Sequence, residues 1–121
     1  MLRTTSSSRS SRTVACTAAS RLLVARSVHD AFVSRVAELT RQLVVGDGAD
    51  PDVHVGPVIS TAQRDKVNGY IDIGVAEGAK IFAQADLPDD PRLAAGYYVK
   101  PTLFTGVTSS MRVAQEEIFG P

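Results

Sequence analysis

Val28, Phe32, Val36, Leu39 and Leu43 recur at steps of three or four residues. On an α-helix that spacing gathers them on one face, with Arg35, Glu38, Arg41 and Gln42 on the other side. The stripe predicts an amphipathic helix over residues 28–45, the longest element of the chain, which must find a partner for its apolar face. Ser27 followed by Asp30 has capping-box spacing, and Gly46 stands where a left-handed residue closes a helix at least cost. A second helix is expected from Ser60, with Gln63 three residues on as another capping box. Val67, Tyr70, Ile71 and Gly74 mark its buried face and Gly78 its stop. Stripes of this kind build a core and carry no chemistry.

Residues 21–25 form a continuous branched apolar run and read as a short buried strand. Residues 80–83 read as another. Residues 97–104 are extended, and Pro101 within them cannot donate to a ladder, so that segment is an edge strand or bends at the proline. Residues 47–57 and 84–95 are loops rich in Asp, Gly and Pro, and a last short turn or helix covers about 110–115. The order strand, helix, loop, helix, strand, strand belongs to a three-layer α/β piece. A chain of 121 residues makes one small domain at most. The pattern occupies residues 16–121. Residues 1–15 form a Ser/Arg-rich tail, with five arginines and no acid before Asp30. That stretch reads either as a transit peptide or as a disordered tail, and disorder is expected over residues 1–12.

The 13 basic and 13 acidic residues cancel, which gives no reason to expect nucleic acid or an anionic membrane as partner. No apolar run approaches the ~18 residues of a membrane span. A single cysteine excludes an internal disulfide and suits a reducing compartment. A cytoplasmic location is therefore expected, with a mitochondrial one as the alternative offered by the N-terminus. Cys16, His29 and His54 do not make a metal-ligand spacing, so no metal is expected, and both histidines read as ordinary surface side chains. No G-x-G-x-x-G follows a strand, and Gly46-Asp47-Gly48 lies in a loop after a helix.

Cys16 is open to two readings. A lone cysteine is often a small buried hydrophobe. This one heads a small-residue turn, residues 17–20, with Arg12 and Arg21 nearby in sequence. A helix opening there would aim N–H groups at the sulfur and favour the nucleophilic thiolate.

The neighbours of Cys16 add to this. Cys16-x-x-x-Ser20-Arg21-x-x-Val24, Asp30-x-Phe32, Val45-Gly46, Gly56-Pro57-x-Ile59-x-x-x-Gln63, Gly78-Ala79, Gly96-Tyr97-Tyr98-Val99-x-Pro101-Thr102 and Glu116-Glu117-Ile118-Phe119-Gly120-Pro121 follow in this order. The series resembles the aldehyde dehydrogenase superfamily from Cys16 to Pro121. The resemblance implies a fragment of that family's catalytic domain and the NAD- or NADP-dependent oxidation of an aldehyde to a carboxylic acid. It implies Cys16 as the nucleophile, forming a thiohemiacetal and then a thioester. It implies that Glu117 holds the nicotinamide ribose hydroxyls and that Phe119 packs near the nicotinamide. The family's cofactor domain, general-base glutamate and oxyanion asparagine precede the cysteine, and its members are usually homo-oligomers. The implied activity thus belongs to a longer parent, with this chain inactive alone. The alternative is a truncated, non-catalytic relic or interaction protein that binds intact subunits. Thr13-Val14-Ala15 departs from the Gly-Gln-x that the family carries before the cysteine.

Overall fold

The helix with the apolar stripe is α1, His29–Arg41, in a computed structural model that describes residues 20–120. The expected tail, Cys16 and Pro121 lie outside the described residues. After α1 come α2, Thr61–Ala76, strand β1, Lys80–Gln84, strand β2, Thr102–Thr105, and the short α3, Arg112–Gln115. Single 3-10 turns occupy Arg26–Val28 and Pro91–Leu93.

Several boundaries differ from the sequence expectation, each for a physical reason. Residues 21–25 are not a strand: Leu22 and Leu23 are exposed, and the run finds no ladder partner among the described residues. Ser27 lies inside the 3-10 turn, so its hydroxyl is not at the helix cap. α1 instead starts after Val28 with no side-chain cap. α1 also stops at Arg41, short of residue 45, because the next residues are taken by another partner. The Val44 carbonyl accepts from the His54 and Val55 N–H groups at 2.9 and 3.1 Å, and the Gly46 N–H donates to the Val55 carbonyl at 3.0 Å. These bonds frame a parallel bridge between Val45 and Val55. Gly46 is therefore no left-handed helix stop. A Cβ there would meet Val53 Cγ2 at 2.9 Å, so close approach of the loop is what excludes a side chain. α2, with 16 residues against 13 for α1, is the longest element.

Other expectations hold. The Ser60 hydroxyl accepts from the Gln63 N–H at 3.2 Å and caps α2. Gly78, at φ 101°, ends the turn after α2 in a conformation that suits glycine. β1 and β2 pair antiparallel, with Ile81 opposite Phe104 and Ala83 opposite Leu103, so Phe82 is the extra residue of a bulge. Its freed carbonyl accepts from the Arg41 guanidinium at 3.2 Å, which ties the end of α1 to the ribbon. Pro101 precedes β2, and its carbonyl accepts from the Ala85 N–H at 3.0 Å. α1 and α2 both pack on β1 and hardly on each other. The layers are therefore helix, ribbon and helix, an α/β fragment as expected.

The core is thin. Of the α1 residues only Ala37 is buried, at 1% exposure, while Val28 before the helix and Phe32 and Leu39 of the stripe remain exposed. Ala79, Met111 and Val113 form the main cluster, with Tyr70, Phe104 and Ile118 packed against it. Gly74 lets α2 approach this cluster: a Cβ there would lie 3.0 Å from Phe104 Cζ and 3.2 Å from Val113 Cγ1. Gly69, in the same helix, has nothing within 4 Å of an added Cβ. Gly74→Leu is expected to destabilise the fold by about 1–3 kcal/mol through overpacking, more than the gain of about 1 kcal/mol in helix propensity. Gly69→Ala is expected to stabilise it by about 0.5–1 kcal/mol. Urea midpoints report both, and two shifts of the same sign would contradict this packing.

Candidate functional site

Residues 116–120 follow α3 outside any helix or strand, and Glu116 itself is extended, at φ −101° and ψ 149°. An extended segment sends alternate side chains to opposite sides, and burial follows that period. Glu116 and Ile118 are partly buried, whereas Glu117 and Phe119 are exposed, Phe119 at 60%. Ile118 joins the core cluster. The Glu116 carboxylate accepts from the Tyr70 hydroxyl at 2.7 Å and from the Arg112 Nε and Nη2 at 2.8 and 3.0 Å. The Arg112 guanidinium also lies 5.8 Å from the centre of the Tyr70 ring. The two adjacent acids thus have different fates: Glu116 is consumed as an anchor, and Glu117 makes no hydrogen bond or ion pair among the described residues.

The anchor shows in its protonation. Hydrogen bonds from Arg112 and then Tyr70 bring the Glu116 carboxyl from 4.5 down to about 2. The same contact with Glu116 pushes the Tyr70 hydroxyl up. A carboxyl whose folded pKa is depressed adds stability above its unfolded pKa and loses it as pH falls through the folded value. The anchor is therefore expected to hold at neutral pH and to weaken between about pH 4.5 and 2. An NMR titration of the Glu116 side-chain carbonyl checks this, and a midpoint at 4.5 or above would show that the Arg112 and Tyr70 contacts do not persist in solution.

α2 supplies the bed for this segment. Gln63, Val67, Tyr70 and Gly74 share one face at steps of three and four residues. Tyr70 holds Glu116, the Gln63 Nε2 donates to the Phe119 carbonyl, and a Cβ on Gly120 would lie 3.3 Å from Val67 Cγ2. Residues 116–119 therefore run antiparallel to α2. Seven helical residues rise about 10 Å and three extended ones span about 10 Å, so the two registers match. A further tether comes from the N-terminal side. The Arg21 Nε donates to the Val113 carbonyl at 3.3 Å, and its Nη2 donates to the Glu116 carbonyl. Arg21 stands five residues after Cys16. It thus joins the stretch before α1 to the acidic segment.

Of the sequence-predicted site residues, Glu117 and Phe119 lie side by side on the outer face of one segment, and Cys16 is outside the described residues. Reading the sequence left Tyr70 and Arg112 without a site role. The i,i+4 spacing of Arg112 and Glu116 was the available signal. Two concavities lie away from this segment. One is lined by Val45, Asp47, Asp50, Val53, Asp90 and Arg92, among others. Its polar groups are occupied: Arg92 pairs with Asp90 at 2.6 Å, and Asp47 and Asp50 cap their own loop. His54 accepts the Val44 N–H through Nδ1 at 3.0 Å, a structural contact, and His29 pairs with Asp30 at 2.9 Å.

Residues 5–121 match the model of the aldehyde dehydrogenase family. An aldehyde dehydrogenase of Didymella fabae is 50% identical over 107 residues, covering 88% of this chain and 22% of that protein. A betaine aldehyde dehydrogenase of Mesorhizobium japonicum is 43% identical over 106 residues, with coverages of 88% and 22%. A betaine aldehyde dehydrogenase of Staphylococcus aureus, solved in complex with NAD+, superposes with a TM-score of 0.81 at 41% identity, over 88% of this chain and 21% of that one. The chain spans about a fifth of the length of these relatives.

Proposed function

The chain belongs to the aldehyde dehydrogenase family, and from that premise we propose that it supplies the nucleophile and the nicotinamide end of an active site that oxidises an aldehyde to a carboxylic acid with NAD or NADP. The observation that carries this reading is the alternation over residues 116–119, which leaves Glu117 and the Phe119 ring exposed, with no hydrogen bond or ion pair to Glu117 among the described residues. A carboxylate is suited to accept hydrogen bonds from a ribose diol, and an aromatic ring two residues on offers apolar packing to a nicotinamide. Those two residues therefore fit the cofactor's nicotinamide end. When bound there, the cofactor supplies the hydride acceptor.

The rest of the reading concerns the chain's own groups. The Cys16 thiolate adds to the aldehyde carbon, giving a thiohemiacetal. Loss of hydride from that carbon leaves a thioester on the sulfur. Water cleaves the thioester, returning the thiolate and releasing the acid. The Cys16 N–H is one donor toward the oxyanion. Glu116 does not take part in these steps: it holds the segment from which Glu117 projects. The substrate class is a small aldehyde, in line with the betaine aldehyde dehydrogenases among the relatives, and the parent is a homo-oligomer.

The test uses a chimera of the Didymella fabae relative with this chain in place of its matched segment. Glu117→Gln is expected to slow single-turnover reduction of the nicotinamide by about 10²-fold, the scale of a misplaced reactant, with little change in aldehyde affinity. An unchanged hydride-transfer rate would remove Glu117 from this role.

A further inference from the structure

Arg21 and Gln63 both belong to the series that carries the family resemblance, and neither has a part in the chemistry above. Their contacts give them one. The Arg21 guanidinium donates to the carbonyls of Val113 and Glu116, and the Gln63 amide donates to the carbonyl of Phe119. The Glu116 carbonyl belongs to the peptide unit that carries the Glu117 N–H. The Phe119 carbonyl closes the other end of the same three-residue stretch.

We propose that Arg21 and Gln63 are positioning residues that clamp the main chain on either side of Glu117 and so set the direction in which Glu117 and Phe119 project. The proposal rests on the cofactor role given to those two side chains above. Main-chain tethers have a particular merit here. They fix the backbone and leave both outward side chains free, whereas side-chain tethers would consume the groups needed for binding. Glu116, held by Arg112 and Tyr70, anchors the inner side of the same stretch, so the clamp acts on the backbone from both ends and on one inward side chain. Arg21 suits its task because a planar fork can reach two carbonyls at once, which a lysine point charge cannot. It also makes the clamp dependent on the segment before α1, to which Arg21 belongs.

Gln63→Glu is the cleaner variant. Glutamate has the same shape but, when ionised, cannot donate to the Phe119 carbonyl. The Ser60 cap uses the main-chain N–H of residue 63 and survives the change, and an acid in the first turn favours the helix. Arg21→Lys keeps the charge and removes the fork. On the full chain, 15N relaxation is expected to show the order parameters of Glu117 and Phe119 falling from about 0.85 to below about 0.6 in both variants, with α2 amides unchanged. In the chimera, both variants are expected to slow single-turnover hydride transfer by about 10–10²-fold without raising the KM for aldehyde. Unchanged order parameters over residues 116–119 would overturn the clamp whatever Glu117 does. A loss of order that extends through α2 would also overturn it, by assigning the two residues to general stability. Loosened backbone with normal hydride transfer, while Glu117→Gln remains slow, would overturn the positioning role and leave the cofactor reading standing. A silent Glu117→Gln would instead remove the cofactor reading, and the inference with it.

Discussion

Cys16→Ala in the chimera is expected to abolish aldehyde oxidation, lowering kcat by about 10⁴-fold or more, the scale on which an enzyme loses a residue that forms its covalent intermediate. The chain has no second cysteine to take its place. The nearest hydroxyls in sequence, Thr17 and Thr13, are weak nucleophiles at neutral pH without an adjacent base. The segment that carries Glu117 and Phe119 is held by Tyr70, Arg112, Gln63 and Arg21, and the substitution changes none of them. The face proposed for the cofactor, built on α2 and on Arg21, should therefore stay intact. Binding of NAD to Cys16→Ala should match the parent within about twofold, while reduced cofactor no longer accumulates. This split separates a lost nucleophile from a misfolded protein, in which a loss of stability would take binding and turnover together. Turnover within tenfold of the parent would show that the covalent step does not run through Cys16.

Local chemistry made much of the fold legible. The Ser60–Gln63 spacing marked the start of α2, and its cap is formed. Gly78 marked its end, whereas of the extended segment expected over residues 97–104 only the part after Pro101 pairs as a strand. Failures arose where a local signal competed with a distant partner. The helix is expected from sequence to run to residue 45, yet the N–H groups of residues 54 and 55 bond the Val44 carbonyl and the Val55 carbonyl takes the Gly46 N–H, which ends α1 early. Residues 21–25 have the composition of a buried strand, but a strand is defined by a neighbour, and Arg21 is instead drawn to the carbonyls of residues 113 and 116. The stripe of α1 announced more burial than Phe32 and Leu39 receive.

The site was legible in a different way. Period-two alternation over residues 116–119 separates the two acids, but it becomes visible only once Tyr70 and Arg112 are seen to claim Glu116. Sequence alone has no means of knowing which of two adjacent carboxylates meets a tyrosine 46 residues away. The choice of Glu117 came from the family motif; in the structure Glu116 accepts from Tyr70 and Arg112, while Glu117 makes no hydrogen bond among the described residues.

The isolated chain is expected to oxidise no aldehyde at a measurable steady rate. Turnover on the proposed mechanism needs a nucleophile, an oxyanion donor pair, a base for the hydrolytic water, and a bound cofactor. The resemblance places the general-base glutamate and the oxyanion asparagine in sequence that precedes Cys16 in the family. Absence of a positioned base costs about 10²–10⁴-fold, and absence of one oxyanion donor about 10²–10³-fold. Cofactor binding weighs more heavily than either. A ligand of this size is held in a concavity that buries most of its surface, whereas Glu117 and Phe119 are exposed among the described residues. One carboxylate and one ring cannot offset the entropy of immobilising a dinucleotide, so hydride has no acceptor in place when the thiohemiacetal forms. The same exposure makes the chain a sensitive detector of what completes it. Adding the remaining segments of the Didymella fabae relative in trans should cover this face and restore cofactor reduction only if Glu117 is intact. The assay is purified chain with millimolar aldehyde and NAD or NADP, followed by absorbance of the reduced cofactor. Sustained turnover by the chain alone, abolished by Cys16→Ala, would overturn this account and place a complete active site within these residues or between copies of them.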